Sequence, residues 1–324
     1  MNAESQTEIA VLLYPHAQQA AVLGFIDLFA FAEKVRLRRA EHKEYKVCVT
    51  CWQLTAGADA PARLGDHATW PDMKPDVIIL PPSLEEPISS QDAQPYVPWL
   101  HEQHRQGATL ASVCAGAFLL GETGLAAERT ITTHWQYAEL FNRRFENVRL
   151  DVDQLIVDDD DILSAGGAMA WVDLGLRLVD RYYGAAIMIE TAQMLLVDPP
   201  GRQQRYYSAF SPRLAHGDAA VLKVQHWLQK TAAKETGLAI LAGHAGMEER
   251  TFLRRFQKAT GMTTTEYCQR LRVGRAREML QASRLPLERI AWEVGYSDAG
   301  AFRKVFTRIV GLTPGDYRRR FYPE

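Results

Sequence analysis

Two residues in the first half of the chain, Cys114 and His134, carry the side chains of a nucleophile and a base. Cys114 lies in ASVCAGAFLLGETGL, where a strand pattern ends at the cysteine and Ala115 and Gly116 open a helix pattern. Such a turn exposes a side chain at a sheet edge, and a helix N-terminus favours a thiolate. His134 follows in TTHWQYAEL as a possible base. The pair is compatible with thiol chemistry, ligand contact or reversible oxidation, or with a small residue that only fills a tight turn.

A second group of functional side chains lies on two similar helix patterns near the end of the chain. In the first pattern one side of the helix presents Arg250, Leu253, Arg254 and Gln257. In the second pattern, which Ser297 or Asp298 could cap, the corresponding side presents Ala299, Gly300, Arg303 and Lys304. Arginine can pair with guanine, glutamine with adenine, and small side chains can meet a thymine methyl group. Both sides are therefore suited to the major groove of DNA, and the alternative is a solvated basic face.

The two helix patterns belong to an internal repeat. Before the turn the two copies are offset by 49 residues, so that Leu238, Leu241, Ala242 and Gly246 match Leu287, Ile290, Ala291 and Gly295. After the turn the offset is 50, so that Phe252, Phe256, Gly261 and Tyr267 match Phe302, Phe306, Gly311 and Tyr317. Each copy predicts a helix, a glycine turn and a second helix whose phenylalanines pack on the first. The repeat predicts two helix-turn-helix units, over about 238–260 and 287–310.

Charge divides the chain into two parts. Residues 218–324 contain 19 Lys and Arg against 11 Asp and Glu, for a net charge of +8, whereas residues 1–217 contain 18 against 28, for −10. A basic terminal region suits the phosphates of a nucleic acid. The four cysteines are too few for a disulfide framework, and Cys48 and Cys51 have no second CxxC pair. The run Asp158–Asp161 lacks calcium-loop spacing and is most simply a solvated turn. We therefore predict no metal and no cofactor. We also expect a cytoplasmic protein, without membrane association, because no apolar run is long enough to span a bilayer.

The elements that position Cys114 and His134 alternate between strand and helix patterns. Five β-rich runs stand out: Ile9–Tyr14, Tyr45–Thr50, Val77–Leu80, Thr109–Val113 and Ile162–Ala165. This alternation predicts an α/β domain with a mostly parallel sheet covered by helices. We place it at residues 8–197, followed by a Pro-rich linker over 198–217 and an all-α domain over 218–322. One long helix, from Thr264 to Ser283, would separate the two helix-turn-helix units.

The terminal region resembles the DNA-binding domain of the AraC/XylS family of transcription regulators. The segments that carry the resemblance are GMEERTFLRRFQKATGMTTTEY and IAWEVGYSDAGAFRKVFTRIVGLTPGDYRRRF. The resemblance implies that both second helices enter successive major-groove segments of promoter DNA. One difference is Glu248, where family members often place a capping serine.

The first domain resembles the PfpI-like, class I glutamine amidotransferase-like superfamily, with Cys114 and His134 at the positions of its cysteine and histidine. Two differences argue against enzymatic activity. Ala21 occupies the place of a frequent acidic residue, in the register set by Asp27, although Asp27 or Glu33 could substitute for it. Pro82 follows the strand IILP, where those enzymes commonly have glycines whose amides help to hold an oxyanion, and because proline has no amide hydrogen one donor is lost.

Together these features predict a non-enzymatic, DNA-binding transcription regulator that is controlled by a small metabolite. The expected effector site contains Asp27, Cys114, Ala115 and His134. The resemblances further imply a homodimer, contact with RNA polymerase if the protein is an activator, and an amine, amino acid or quaternary ammonium effector. One alternative is a cysteine-dependent amidase, hydratase or deglycase fused to a DNA-binding module. Another is an architectural DNA-binding protein without a ligand.

Overall fold

The computed structural model of the protein describes residues 5–39, 45–65 and 74–323. Its residues form two compact units, Met1–Gln204 and Arg205–Glu324. The division after Gln204 falls inside the segment that we expected to be the linker. No helix in the described ranges is long and apolar enough to cross a membrane.

The first unit is built on a mostly parallel sheet, as predicted. Its strands are β1 (Ser5–Leu13), β2 (Tyr45–Gln53), β3 (Ala62–Arg63), β4 (Val77–Leu80), β5 (Thr109–Val113), β6 (Thr130–Ile131), β7 (Arg149–Leu150), β8 (Ile156–Asp159) and β9 (Ile162–Ala165). Among the described residues, seven of them form one sheet in the order β3-β2-β1-β4-β5-β9-β8, in which only β3 and β8 are antiparallel to their neighbours. Every residue of β4 is buried, as expected of a strand covered on both faces.

Helices cover both faces of this sheet. They are α1 (Gln19–Arg39), α2 (Ser90–Ala93), α3 (Val97–Arg105), α4 (Gly116–Glu122), α5 (Ala138–Arg144), α6 (Trp171–Tyr183) and α7 (Ala185–Leu195). Ile9 and Val11 of β1 join the core beneath α1, α6 and α7, whereas Ala10 and Leu12 join the core beneath α3, α4 and α5. The alternation follows from the two-residue period of a strand.

The acidic run Asp158–Asp161 corrects one sequence-based expectation. We interpreted it as a solvated turn, but Asp158 and Asp159 end β8, and only Asp160 has the positive φ of a turn, 63°. The neighbouring carboxylates are paired: Asp158 with Arg177 and Arg181, and Asp159 and Asp161 with Arg129. The acidic residues therefore neutralise nearby arginines across a hairpin.

The second unit is entirely helical. Its helices are α8 (Ala219–Lys230), α9 (Leu238–Ala245), α10 (Glu249–Thr260), α11 (Thr264–Ala282), α12 (Leu287–Glu293), α13 (Ala299–Val310) and α14 (Pro314–Phe321). Two separate cores form, one around α9 and α10 and one around α12 and α13, and α11 contributes to both. Gly246 and Gly295 take φ values of 64° and 86° in the turns between the paired helices. The duplicated element predicted from the repeat is therefore present.

Candidate functional sites

Cys114 lies at the sharp turn between β5 and α4, with φ of 53° and an exposed fraction of 5%. Its amide donates to the carbonyl of Ala165 at 2.7 Å, and its own carbonyl accepts from Oγ1 of Thr133 at 2.7 Å. At Gly116 a Cβ atom would lie 2.2 Å from the carbonyl oxygen of Leu80. The strand-turn-helix arrangement predicted from the sequence is therefore held by three neighbouring segments.

The thiol of Cys114 is protonated near neutral pH. Burial raises its pKa to about 11, although the backbone amides of Ala115 and Gly167 donate to the sulfur and act in the opposite direction. The amide at the helix N-terminus favours the thiolate, as expected, but desolvation disfavours the charged form more strongly. A neutral thiol is a weaker nucleophile than a thiolate.

His134 precedes a short 3-10 helix, Trp135–Tyr137, and its Nδ1 accepts from the amide of Gln136 at 3.2 Å. Burial lowers its pKa, so the ring is neutral near pH 7. With Nδ1 accepting, the single ring proton lies on Nε2, which is then a hydrogen-bond donor. A Cβ at Gly167 would lie 4.0 Å from Cδ2 of the ring. His134 and Cys114 therefore approach the same glycine, the former as a donor rather than as a base.

Ala21 and Glu33, two positions considered for an acidic residue of an enzyme, both lie on α1. Ala21 is fully buried in α1. Glu33 forms an ion pair with Arg36 and accepts from the hydroxyl of Tyr183 at 3.0 Å, and the pKa of Glu33 is lowered, chiefly by the hydrogen bond from Arg36. Glu33 is therefore an engaged carboxylate and a poor general acid.

Asp27, which we expected in the effector site, is exposed on α1, whereas its neighbours Phe25 and Leu28 are buried. Among the described residues, no hydrogen bond or ion pair connects Asp27 with Cys114 or His134. Sequence register placed it on the right helix but could not show which side of that helix faces the turn.

Backbone carbonyls, rather than amides, face the turn from the segment after β4. The Cβ position of Gly116 lies 2.8 Å from the carbonyl oxygen of Pro81, and the hydroxyl of Tyr14 donates to that oxygen at 2.5 Å. The carbonyl of Pro82 accepts from the amide of Gln18 at 2.7 Å. Both carbonyls thus accept hydrogen bonds within the first unit, and Pro81 and Pro82 themselves have no amide hydrogen to donate.

Tyr137 and Glu86 extend the candidate site and were missed in the sequence. Burial raises the pKa of Tyr137, and nearby Cys114 and Glu86 raise it further, so its hydroxyl lies within electrostatic range of both. Glu86 also lines a cleft of about 650 Å³ with His16, Glu85 and Asp92. The position of Tyr137 three residues after His134 was the available clue.

The candidate DNA-binding residues of the first helix-turn-helix lie on α10. Phe252 and Phe256 are fully buried, and Arg250, Leu253, Arg254 and Gln257 are exposed on the other side of the helix. Leu253 is 39% exposed, so an apolar side chain lies among the basic side chains of this surface. Glu248 stands at the N-cap without a side-chain capping hydrogen bond. The structure thus brings all four predicted residues to one solvent-facing surface.

In the second unit α13 is supported in the same way by Phe302 and Phe306, which are fully buried. Gly300, Arg303 and Lys304 are exposed and Ala299 is half-buried. Of the two capping candidates Asp298 serves, accepting from the amides of Gly300 and Ala301 at 3.0 and 2.8 Å. These amide hydrogen bonds lower the pKa of Asp298. The start of α13 is therefore fixed, with small residues in its first turn.

No group of three or more His, Cys, Asp or Glu side chains among the described residues could hold a metal ion. Cys48 and Cys51 are free and half-buried in β2.

Comparison with known proteins finds similarity in both units. Residues 26–181 match the DJ-1/PfpI family model, and residues 241–320 match a helix-turn-helix domain model. The chain is 26% identical to the HTH-type transcriptional regulator GlxA of Rhizobium meliloti (strain 1021) over 238 residues, covering 72% of each chain. It is 23% identical to the HTH-type transcriptional regulator CdhR of Pseudomonas aeruginosa over 307 residues, covering 92% of this chain and 88% of CdhR.

An enzyme is also similar to the first unit. Isonitrile hydratase of Pseudomonas putida is 28% identical over 189 residues, covering 58% of this chain and 75% of the enzyme. The regulators are similar across both units, and the helix-turn-helix match lies in the second. The chain thus carries a DJ-1/PfpI domain followed by a helix-turn-helix domain, and it is similar to HTH-type transcriptional regulators over both.

Proposed function

We propose that this regulator binds double-stranded promoter DNA sequence-specifically through the exposed sides of α10 and α13. The observation that carries the proposal is that each of the two helices is held by two fully buried phenylalanines and exposes basic side chains on the opposite side. The net charge of +8 over residues 218–324 adds attraction to phosphate.

The two recognition helices have different roles in this proposal. On α10 the side chains of Arg250, Arg254 and Gln257 can each donate to base edges, and Leu253 can meet a thymine methyl group. On α13 the first turn is small, so Arg303 and Lys304 supply most of the contacts. We expect α10 to select more bases and α13 to contribute more through phosphates.

The test is footprinting to find the operator, followed by titrations with specific and random DNA. Arg254→Ala is expected to lower specific affinity by about 1 to 3 kcal/mol and to relax selection at one or two base positions. Arg255→Ala is the matched control, because it removes the same charge from the same helix but at a guanidinium bound to Asp218. Equal losses on specific and random DNA for Arg254→Ala would make it a phosphate contact.

The first unit binds a small effector in this proposal, at Cys114, Ala115 and His134, with Tyr137 and Glu86 as further walls. A neutral thiol, an Nε2–H donor, aromatic rings and a nearby carboxylate suit a ligand that is cationic at one end, such as an amine, an amino acid or a quaternary ammonium compound. Asp27 is exposed on α1, and its place in the effector site stays a prediction.

A thermal-shift screen with choline, glycine betaine and arginine tests the effector site. A stabilising compound is expected to act on the wild type and to lose its effect in His134→Ala, while Gln136→Ala, whose side chain is exposed, keeps it. Stabilisation that survives in His134→Ala would place the ligand elsewhere.

The enzyme alternative has one observation in its favour, the similarity to isonitrile hydratase. Against it stand the neutral thiol, the donor role of His134 and the carbonyls at Pro81 and Pro82. We expect no turnover of isonitriles, amides or glyoxals. Turnover that Cys114→Ala abolishes would establish the enzyme.

We further propose that the first unit forms a homodimer, that the protein acts in the cytoplasm, where it reaches promoter DNA, and that it contacts RNA polymerase if it is an activator. Exposed apolar side chains on α1 and α7, with Leu23 at 59% and Ile189 at 44%, support a protein contact on this unit. Sedimentation of the full chain tests the dimer.

A further inference from the structure

We propose that Gln204 couples the effector site to the second helix-turn-helix, so that binding beside His134 alters α13. The inference rests on the effector site proposed above, and it names a positioning residue and the DNA-binding element that the site would control.

Gln204 is the last residue of the first unit, and its side chain is buried, with an exposed fraction of 3%. Its Oε1 accepts from the amide of Trp135 at 2.9 Å, and its Nε2 donates to the carbonyl of Thr133 at 2.9 Å. These two bonds hold the backbone on either side of His134. Nε2 also lies 3.3 Å from the carbonyl of Gln154.

The Gln204 side chain has space because Gly166, directly after β9, has no side chain. A Cβ atom at Gly166 would lie 2.3 Å from Nε2 of Gln204. The segment that leads to Gln204 is fixed as well, because Arg202 forms a bidentate pair with the buried carboxylate of Asp173, and Gln203 pairs with Gln154 through a β-bridge. A shift of the His134 backbone therefore has a direct partner in Gln204.

The next residues along the chain belong to the second unit and pack at the end of α13. A Cβ at Gly311, which ends α13, would lie 2.5 Å from Nε of Arg205 and 2.8 Å from Cε1 of Tyr206. Arg277 of α11 donates to the carbonyls of Tyr206 and Ser208 and to the hydroxyl of Tyr317. Gln204, which is bound to the backbone on either side of His134, is thus followed immediately in the chain by residues that contact the end of a recognition helix.

Hydrogen–deuterium exchange of the full chain measures the coupling without any effector. His134→Ala removes the ring that caps the turn at Gln136, and it is expected to speed exchange in residues 205–210 and in the last turn of α13 about fivefold, the factor for about one lost hydrogen bond. Gln204→Met keeps similar volume without the hydrogen bonds. In that background His134→Ala is expected to leave both segments unchanged.

Gln203→Ala is the control, because it keeps the backbone bridge to Gln154, and the response to His134→Ala should persist in it. If Gln204→Met does not fold, as judged by its melting transition, Gly166→Ala serves as the second variant, since it displaces the Gln204 side chain. An equal response to His134→Ala with and without Gln204 overturns the coupling, as does a response confined to residues 131–137.

The result separates this inference from the proposed function. A screen in which no compound shifts the melting temperature counts against the effector site, and the exchange experiment contains no compound. If a compound stabilises the wild type, but His134→Ala changes exchange equally in the wild-type and Gln204→Met backgrounds, only the role of Gln204 is overturned.

Discussion

Side-chain type suggested that Cys114 could be ionised, because a cysteine ahead of a helix is a common place for a reactive thiolate. The surroundings decide otherwise, since the sulfur is removed from water and α4 is only seven residues long. Sequence therefore located the turn and both Cys114 and His134, but the protonation of each depends on burial and on the neighbours Gly167 and Gln136. The contact of Cys114 with Gly167 joins distant parts of the chain and has no local pattern.

Alkylation of Cys114 should be slow at neutral pH. A pKa raised from 9.0 to about 11 lowers the thiolate fraction about a hundredfold, so iodoacetamide should modify Cys114 about a hundredfold more slowly in the folded chain than in urea at pH 7.5. The rate should keep rising to about pH 11. Mass spectrometry of the Cys114 peptide measures this, and a plateau below pH 8 would reveal an activated thiolate.

The same shift affects folding. Since the folded state favours the neutral thiol, the contribution of Cys114 to stability is present below its unfolded pKa and is lost as pH rises through the folded value of about 11. Between the unfolded and the folded pKa of the Cys114 thiol, the difference in the free energy of unfolding between wild type and Cys114→Ala should shrink as pH increases.

Gly166→Ala should destabilise the first unit through Gln204. The new methyl group would meet Nε2 of Gln204 at 2.3 Å and the carbonyl of Thr133 at 2.8 Å, at a cost of about 1 to 3 kcal/mol. The cost should fall in the Gln204→Ala background, as urea unfolding of the four variants would measure. Gly243→Ala in α9, where nothing lies within 4 Å, is a matched control that should be neutral or stabilising. If Gly166→Ala costs as much in the Gln204→Ala background as in the wild type, the clash is with the backbone carbonyl of Thr133 alone.

At the scale of elements, prediction succeeded where one pattern covered a whole helix or strand. The apolar spacing predicted α10 and α13, and the apolar runs of β4, β5 and β9 gave their bounds. It failed for β8, where charged residues pair with arginines on other elements, and for the two-residue strands β3, β6 and β7, which are defined by their partners.

Helix α10 should gain stability from a proper cap. Glu248 makes no capping hydrogen bond there, whereas the equivalent Asp298 caps α13 through two amides. Glu248→Ser should therefore stabilise the second unit by about 0.5 to 1 kcal/mol, measured by urea unfolding. Glu249→Ser, one residue inside the helix, is the control and should bring no gain. Equal effects would indicate a change in charge rather than capping.

At the scale of the whole molecule, the boundary between domains is sharper than composition suggested. The Pro-rich stretch predicted a linker over 198–217, yet Gln204 is anchored in the first unit, and Tyr207 and Phe210 contact Phe321 and Tyr267 in the second, with ring centroids 5.5 and 5.2 Å apart. Proline and polar content indicate the absence of regular structure, but they do not show whether a segment is anchored.

A fragment of residues 205–324 should therefore be more stable than one of residues 218–324. Removing 205–217 exposes Tyr267 and Phe321 and leaves Arg277 without the carbonyls of Tyr206 and Ser208, which we expect to cost about 2 kcal/mol. Thermal or urea unfolding of the two fragments measures the difference. Equal stability would show that the segment contributes nothing to the second unit.

The one-residue step from Gln204 to the contacts of Arg205 and Tyr206 at Gly311 has a consequence for protein engineering. A chimaeric regulator that receives a new sensor domain must keep its own residues from 205 onward. The new sensor domain must provide a loop that can bind the side chain of Gln204. A fusion made at residue 217 would give a protein that still binds its operator but no longer responds to the inducer. An exchange of sensor domains therefore has to preserve the connection from Gln204 to Arg205 together with the contacts on each side of it.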